Sequence, residues 1–185
     1  MNPPYKVVIF LVATIGILYV SRASLLRPRS HGFFRFFAWE SMLVLFLLNV
    51  EAWFFTPLAW NQILSWLLLI AALALVIHGA WLLQQIGKQD AHRDDSPMLG
   101  FEKTTRLVTI GAYHYIRHPL YSSLLLLTWG IYFKAPGWLG ALLAVLATGF
   151  LFATARAEEA EDIKFFGEQY REYMKKSKMF IPFII

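Results

Sequence analysis

The distribution of charge between apolar runs constrains this chain more than any other feature. Five stretches are apolar enough to leave water: roughly Tyr5–Leu26, Phe33–Phe55, Gln62–Leu83, Pro119–Phe133 and Gly137–Ala155. A helix crossing a hydrocarbon core of ~30 Å needs about 20 such residues, which the first three runs supply. The last two are shorter, and the Pro-Gly turn of Lys134–Trp138 joins them into a helical hairpin. The connections alternate in charge. The first carries Arg22, Arg27, Arg29 and Arg35; the second, Thr56–Asn61, carries none. The third, from Gly87 to His118, holds Lys88, Arg93, Lys103, Arg106 and Arg117, and the segment after the fifth run begins with Arg156 and is again basic. Cytoplasmic loops collect Lys and Arg, so this alternation predicts five spans, the N-terminus outside and the C-terminus cytoplasmic. Lys6 precedes the first run, but no small-residue cleavage site follows it, and the run reads as a span rather than a signal peptide.

Composition agrees. Of 185 residues, 58% are hydrophobic and only 16% charged, which excludes an ordinary soluble domain. The absence of cysteine excludes disulfides, thiolate nucleophiles and Cys-ligated metals. The net charge of +5 is spread over loops, matching anionic lipid and forming no nucleic-acid-reading helix. The expected fold is all-α and integral to the membrane: five spans followed by an interfacial C-terminal helix. It is read as a single unit over 1–185, with three N-terminal spans in 1–86 and a loop, hairpin and tail helix in 87–185. No internal repeat is visible, which disfavours an inverted-repeat transporter. In the tail, Phe165, Phe166, Tyr170, Tyr173 and Met174 fall near one helical face, set to lie on the membrane or on the bundle.

Chemistry concentrates in "GAYHYIRHPLYSS", Gly111–Ser123. A residue before proline is pushed out of the helical region, and proline suits the first helical position. His118 therefore ends a loop and Pro119 starts the fourth span, with Arg117 at a helix N-terminus that favours anions. An arginine reaching toward lipid phosphate would fit the same pattern. His114 and His118 are four apart, but Pro119 keeps the second off a helix and no third ligand is evident, so no metal is expected. Glu158 and Glu159 follow the fifth run directly and point about 100° apart on a helix, so one can face the bundle while the other faces water. A solvated acidic turn would also account for them. Glu40, Asn49 and Glu51 lie in or near the second run, and His78 in the third is read as a packing residue.

These residues carry a resemblance. "GAYHYIRHPLYSS" resembles the G-x-Y-x-x-x-R-H-P-x-Y signature of the isoprenylcysteine carboxyl methyltransferase family, itself related to phospholipid methyltransferases. "EEAEDIKFFGEQYREYMKKSKMFIPFI" is similar to that family's E-E…F-G-E-x-Y-x-x-Y…P pattern. The resemblance implies a membrane methyltransferase using S-adenosylmethionine. By position it implies cofactor-binding Gly111, Tyr113, Arg117, His118, Pro119, Tyr121, Glu158 and Glu159. The expected catalytic residues are Arg117, Arg156 and Glu159, Arg117 or Arg156 being the basic group at the membrane lip that would neutralise a carboxylate acceptor. The acceptor the resemblance implies is a lipophilic small molecule or lipidated substrate met at the membrane, most readily a carboxylate of isoprenylcysteine type. A phospholipid amine is the alternative within methyl transfer. One departure is Ser123, where the family often has glycine. The R-H-P-x-Y segment is also similar to NADPH-dependent membrane sterol reductases, but Leu120 and Ser123-Leu124 replace their asparagine and glycine-glutamate, which ranks reduction lower. A non-catalytic lipid-binding scaffold is the competing class.

Overall fold

The computed structural model describes residues 3–88 and 103–184; Arg93 of the third connection lies outside them. Every regular element among the described residues is helical. α1 is Pro3–Leu25, α2 His31–Asn49, α3 Trp60–Ile86, α4 Ala112–Tyr115, α5 Pro119–Tyr132, α6 Trp138–Phe166 and α7 Glu168–Lys176. A single 3-10 turn, Val50–Ala52, extends α2.

Four helices, α1, α2 with its 3-10 extension, α3 and α6, are long and apolar enough to cross a membrane. The fourth expected span, Pro119–Phe133, is the exception. α5 has 14 residues, about 21 Å of rise against a core of ~30 Å. A helix ending there leaves its last carbonyls away from water, where each needs a partner. The neighbouring helices provide them. Ser65 donates to the carbonyl of Gly130 (2.6 Å), Asn49 to that of Ile131 (2.9 Å) and Asn61 to that of Phe133 (3.0 Å). Gln62 donates to the carbonyl of Lys134 and accepts from its ammonium at 3.1 Å. That ammonium also lies 3.6 Å from the Trp66 ring centroid. A cation over an aromatic face beside a helix C-terminus is held by both the ring quadrupole and the helix dipole.

The second difference lies in α6. The helix does not end with the apolar run at Ala155 but continues into the tail as far as Phe166, 29 residues and about 44 Å. Its last turns stand clear of a hydrocarbon core and carry the acidic cluster. Gly167 ends it, at φ 61° and ψ −131°, a conformation costly for any residue with a Cβ. α7 then turns back, burying Tyr170 and Tyr173 against the bundle rather than presenting them to a bilayer.

Packing in the bundle depends on small residues. Gly140, Ala144, Ala147, Leu151 and Ala155 form a buried stripe along α6 that brings α2 and α5 close. α5 is wedged between α3 on one side and α2 and α6 on the other. α1 packs on α2, where Thr14 donates to the Glu40 carboxylate at 2.9 Å. Glu51 pairs with Lys6 at 3.0 Å. Both carboxylates of the second run are thereby accounted for as ties between α1 and α2.

Candidate functional site

The R-H-P segment and the chain's last residues are stitched together. Lys178 donates its backbone N–H to Tyr115 (2.9 Å), Arg117 to Lys178 (2.7 Å) and His118 to Met179 (3.2 Å), a short parallel pairing. Ser122 of α5 donates its hydroxyl to the carbonyl of Phe180 at 2.9 Å. His118 sits at φ −121° and ψ 62°, outside the helical region as its position before Pro119 demands. Gly111 opens α4 at φ 60°, and a Cβ there would meet Leu82 at 2.7 Å and His78 at 2.8 Å. That glycine lets the loop close onto α3, and His78 is part of the wall it closes on.

The expected charges meet here. Arg117 Nε donates to Glu159 Oε1 at 2.7 Å. Its Nη1 donates to the carbonyls of Met174 (3.3 Å) and Ser177, so the same guanidinium caps the end of α7. His118 Nδ1 lies 3.3 Å from Glu158 Oε2, and its ring stacks on Tyr121 with centroids 5.5 Å apart. Its buried Nε2 lies 3.5 Å from Glu159 Oε1, at ion-pair distance. Burial opposes the charged imidazole, but hydrogen bonds and Coulomb attraction from Glu158 and Glu159 outweigh it and raise the His118 pKa to about 9. At neutral pH the cluster holds two cations facing two carboxylates.

Beside it lies a cavity of about 380 Å³. Its polar end is formed by Tyr113, Arg117, His118, Glu158, Asp162 and Tyr170. Its apolar end is formed by Trp39 of α2, Val76 and Ala80 of α3, and Leu120 and Leu124 of α5. Ser123 lines it too, donating its hydroxyl to the carbonyl of Leu120. Tyr173 reaches the cavity and ties α7 to α4, donating its hydroxyl to the carbonyl of Tyr113. A pocket of this size, apolar with a few convergent polar groups, is suited to a small-molecule ligand.

Of the sequence-derived residues, Tyr113, Arg117, His118, Tyr121 and Glu158 line this cavity; Glu159 supports Arg117, and Gly111 and Pro119 shape the backbone around it. Arg156 is not brought in. It stands exposed on α6, its guanidinium turned back 5.7 Å from the Phe152 ring one turn earlier. The structure adds Arg35 and Trp39 of α2, and Asp162 of α6. Arg35 had been counted as loop charge, yet it lies in the second turn of α2 and is 2% exposed. Behind the cavity, His31 Nδ1 lies 2.6 Å from Glu161 Oε2, and Glu161 also accepts from the His31 backbone at 3.2 Å, docking the start of α2 on α6. The spacing of Glu158, Glu161 and Asp162, three and four apart, was the available signal that these acids share a helix face.

Comparison with known proteins places this geometry. Residues 60–170 match the family model described as phospholipid methyltransferase. The methanethiol S-methyltransferase of Pseudomonas deceptionensis is 32% identical over 130 residues, 69% of this chain and 44% of that protein. Methanethiol S-methyltransferase 1 of Bradyrhizobium diazoefficiens is 32% identical over 92 residues, 49% of this chain and 32% of that protein. The chain thus spans less than half the length of these relatives over the matched regions. No solved structure matches. The matched segment runs from the start of α3 through the paired R-H-P and E-E elements into α7, and on that basis the chain belongs to the phospholipid methyltransferase family of membrane proteins.

Proposed function

We propose that the protein transfers a methyl group from S-adenosylmethionine to a lipophilic thiol at the cytoplasmic membrane surface. The observation that carries the reading is the buried charge cluster of Arg117, His118, Glu158 and Glu159 at a cavity whose wall also bears Asp162. An amino acid tail carries one anionic and one cationic end, and this wall offers a donor for the first and carboxylates for the second. The fit is therefore good at the polar end, where Tyr113 and Tyr121 add aromatic faces suited to a sulfonium. Bound there, S-adenosylmethionine supplies an electrophilic methyl group on a positive sulfur.

The protein's share of the chemistry is placement and the exclusion of water. Leu120, Leu124, Val76 and Ala80 keep the acceptor end apolar, which strips water from the nucleophile and orients it. Arg117 and Glu159 act as positioning residues: their bond holds α6 against the R-H-P segment and the end of α7. The S-methyltransferase relatives support a sulfur acceptor. A carboxylate acceptor is the second reading, favoured by the buried guanidinium of Arg35 on the cavity wall, which could neutralise it.

Two measurements test this. Purified protein should bind S-adenosylhomocysteine in calorimetry; no binding by folded protein removes the methyl-transfer reading. Single-turnover transfer of labelled methyl then separates the acceptors. A thiol reacts as thiolate, so with a pKa near that of cysteine, about 8.5, the rate climbs close to tenfold per pH unit from pH 6 to 8. A carboxylate with pKa near 4 is ionised throughout and gives a flat profile.

A further inference from the structure

The cavity at the site has a continuation. A second apolar groove of about 370 Å³ is lined by Trp39, Met42, Leu43 and Phe46 of α2, Leu127 and Ile131 of α5, and Trp53. α2 and α5 each start at the face that bears the site, so their sequences advance together through the bundle. The two hollows then follow in register. Arg35 and Trp39 with Leu120 and Leu124 bound the first; Met42 and Phe46 with Leu127 and Ile131 bound the second. Eleven residues separate the ends of this furrow on each helix, about 16 Å of rise.

Trp39 is the residue common to both hollows. Its indole is held by the buried Arg35 one turn earlier, whose guanidinium carbon lies 5.0 Å from the ring centroid. Arg35 is itself backed by the tight meeting of α1 and α2 at Gly32: a Cβ added there would lie 3.4 Å from Arg35 Nη2 and 2.2 Å from Ser24 Oγ. A large ring braced by a fixed cation makes a partition rather than a swinging side chain.

We infer that Trp39, braced by Arg35, is the specificity-determining partition of the acceptor site. It confines the acceptor's alkyl tail to the first chamber, and the α2–α5 groove beyond it is the subsite a longer tail would occupy were the indole absent. The inference rests on the methyl-transfer reading for the identity of the ligand, and the occupant is the apolar tail of the acceptor. The alternative occupant of the groove is bulk membrane lipid.

Straight-chain methyl alkyl sulfides, the products of thiol methylation, are the probes. They are titrated in calorimetry into detergent-solubilised protein saturated with S-adenosylhomocysteine. Each methylene withdrawn from water raises affinity about fourfold. In the wild type this gain holds for the first few carbons and then stops. In Trp39→Ala, and in Trp39→Leu if the alanine variant does not fold, the gain continues over several further carbons. Adding Leu43→Trp to either variant restores the early stop. Superimposable chain-length profiles in wild type and Trp39 variants overturn the inference and assign the groove to bulk lipid. An unbroken gain in the wild type, or no sulfide binding at all, overturns it equally. Sulfide binding with the predicted break, but no methyl transfer to any thiol, leaves the partition standing and removes the thiol reading instead.

Discussion

His118 concentrates the electrostatics of the site. Its imidazole is buried, charged through Glu158 and Glu159, and oriented by the ring of Tyr121. Its folded pKa, about 9, lies above its ordinary value of 6.5. A raised pKa means that the folded state binds the proton more tightly than the unfolded one. The resulting stabilisation is fully present below pH 6.5 and disappears as pH rises through 9, and its full size is on the order of 3 kcal/mol. Thermal unfolding in detergent should therefore show a falling midpoint between pH 7 and 9.5 that is absent in His118→Gln. Identical slopes for the two proteins would remove the imidazolium from the account. The same variant, and Glu158→Gln, should each weaken S-adenosylhomocysteine binding roughly tenfold or more, the cost of one charge-assisted hydrogen bond of about 1.5–3 kcal/mol. Calorimetry on folded protein checks this, and Arg156→Ala, whose side chain faces solvent, should bind as the wild type does.

At the scale of elements, α5 depends on its neighbours. Removing Asn49 or Ser65 leaves a buried carbonyl of its last turn, Ile131 or Gly130, without its side-chain donor. Asn49→Ala and Ser65→Ala should each cost about 1–3 kcal/mol, read as a lower midpoint in thermal unfolding, while S-adenosylhomocysteine affinity at the opposite end of the helix changes little. Loss of affinity equal to that in His118→Gln would show that the two ends of α5 are not independent. The apolar runs made most elements legible: α1 and α3 begin and end within three residues of the expected limits, α2 begins two residues early and ends six early at Asn49, and Pro119 marked the start of α5. The errors have physical causes. Hydropathy does not show whether side chains on other helices will cap a short helix, so the fourth run reads as a span although shorter than the first three. The fifth apolar run ends at Ala155, but polarity alone does not break a backbone, and α6 continues to Gly167. The R-H-P and E-E motifs located half of the site. Arg35 and Trp39 stayed hidden because the second run matched only in hydropathy, and their role comes from register against α5.

For the whole molecule, the site lies at one end of α5, and Lys134, just past its other end, lies over Trp66 of α3. From the charge pattern of the loops we predict that the site end faces the cytoplasm. The chain has no cysteine, so single thiols can report sidedness. Arg27→Cys and Lys175→Cys, both at exposed positions, should be labelled by an impermeant maleimide only from the cytoplasmic side, and Leu58→Cys only from the other. Labelling of Arg27→Cys and Lys175→Cys from opposite sides would contradict a bundle whose α1–α2 turn and tail share one face.

The pairing of Tyr115, Arg117 and His118 with Lys178 and Met179 also sets an order of events during synthesis. The two cations of the site, Arg117 and His118, are made early, while the backbone edge that fixes them is made some sixty positions later. Until that edge has left the ribosome and folded back, a nascent chain already seated in the bilayer has its carboxylates and imidazole unarranged and cannot capture a cofactor. Maturation of the site is thereby timed by translation of the tail, and a ribosome stalled before Lys178 should leave an inserted but inert protein.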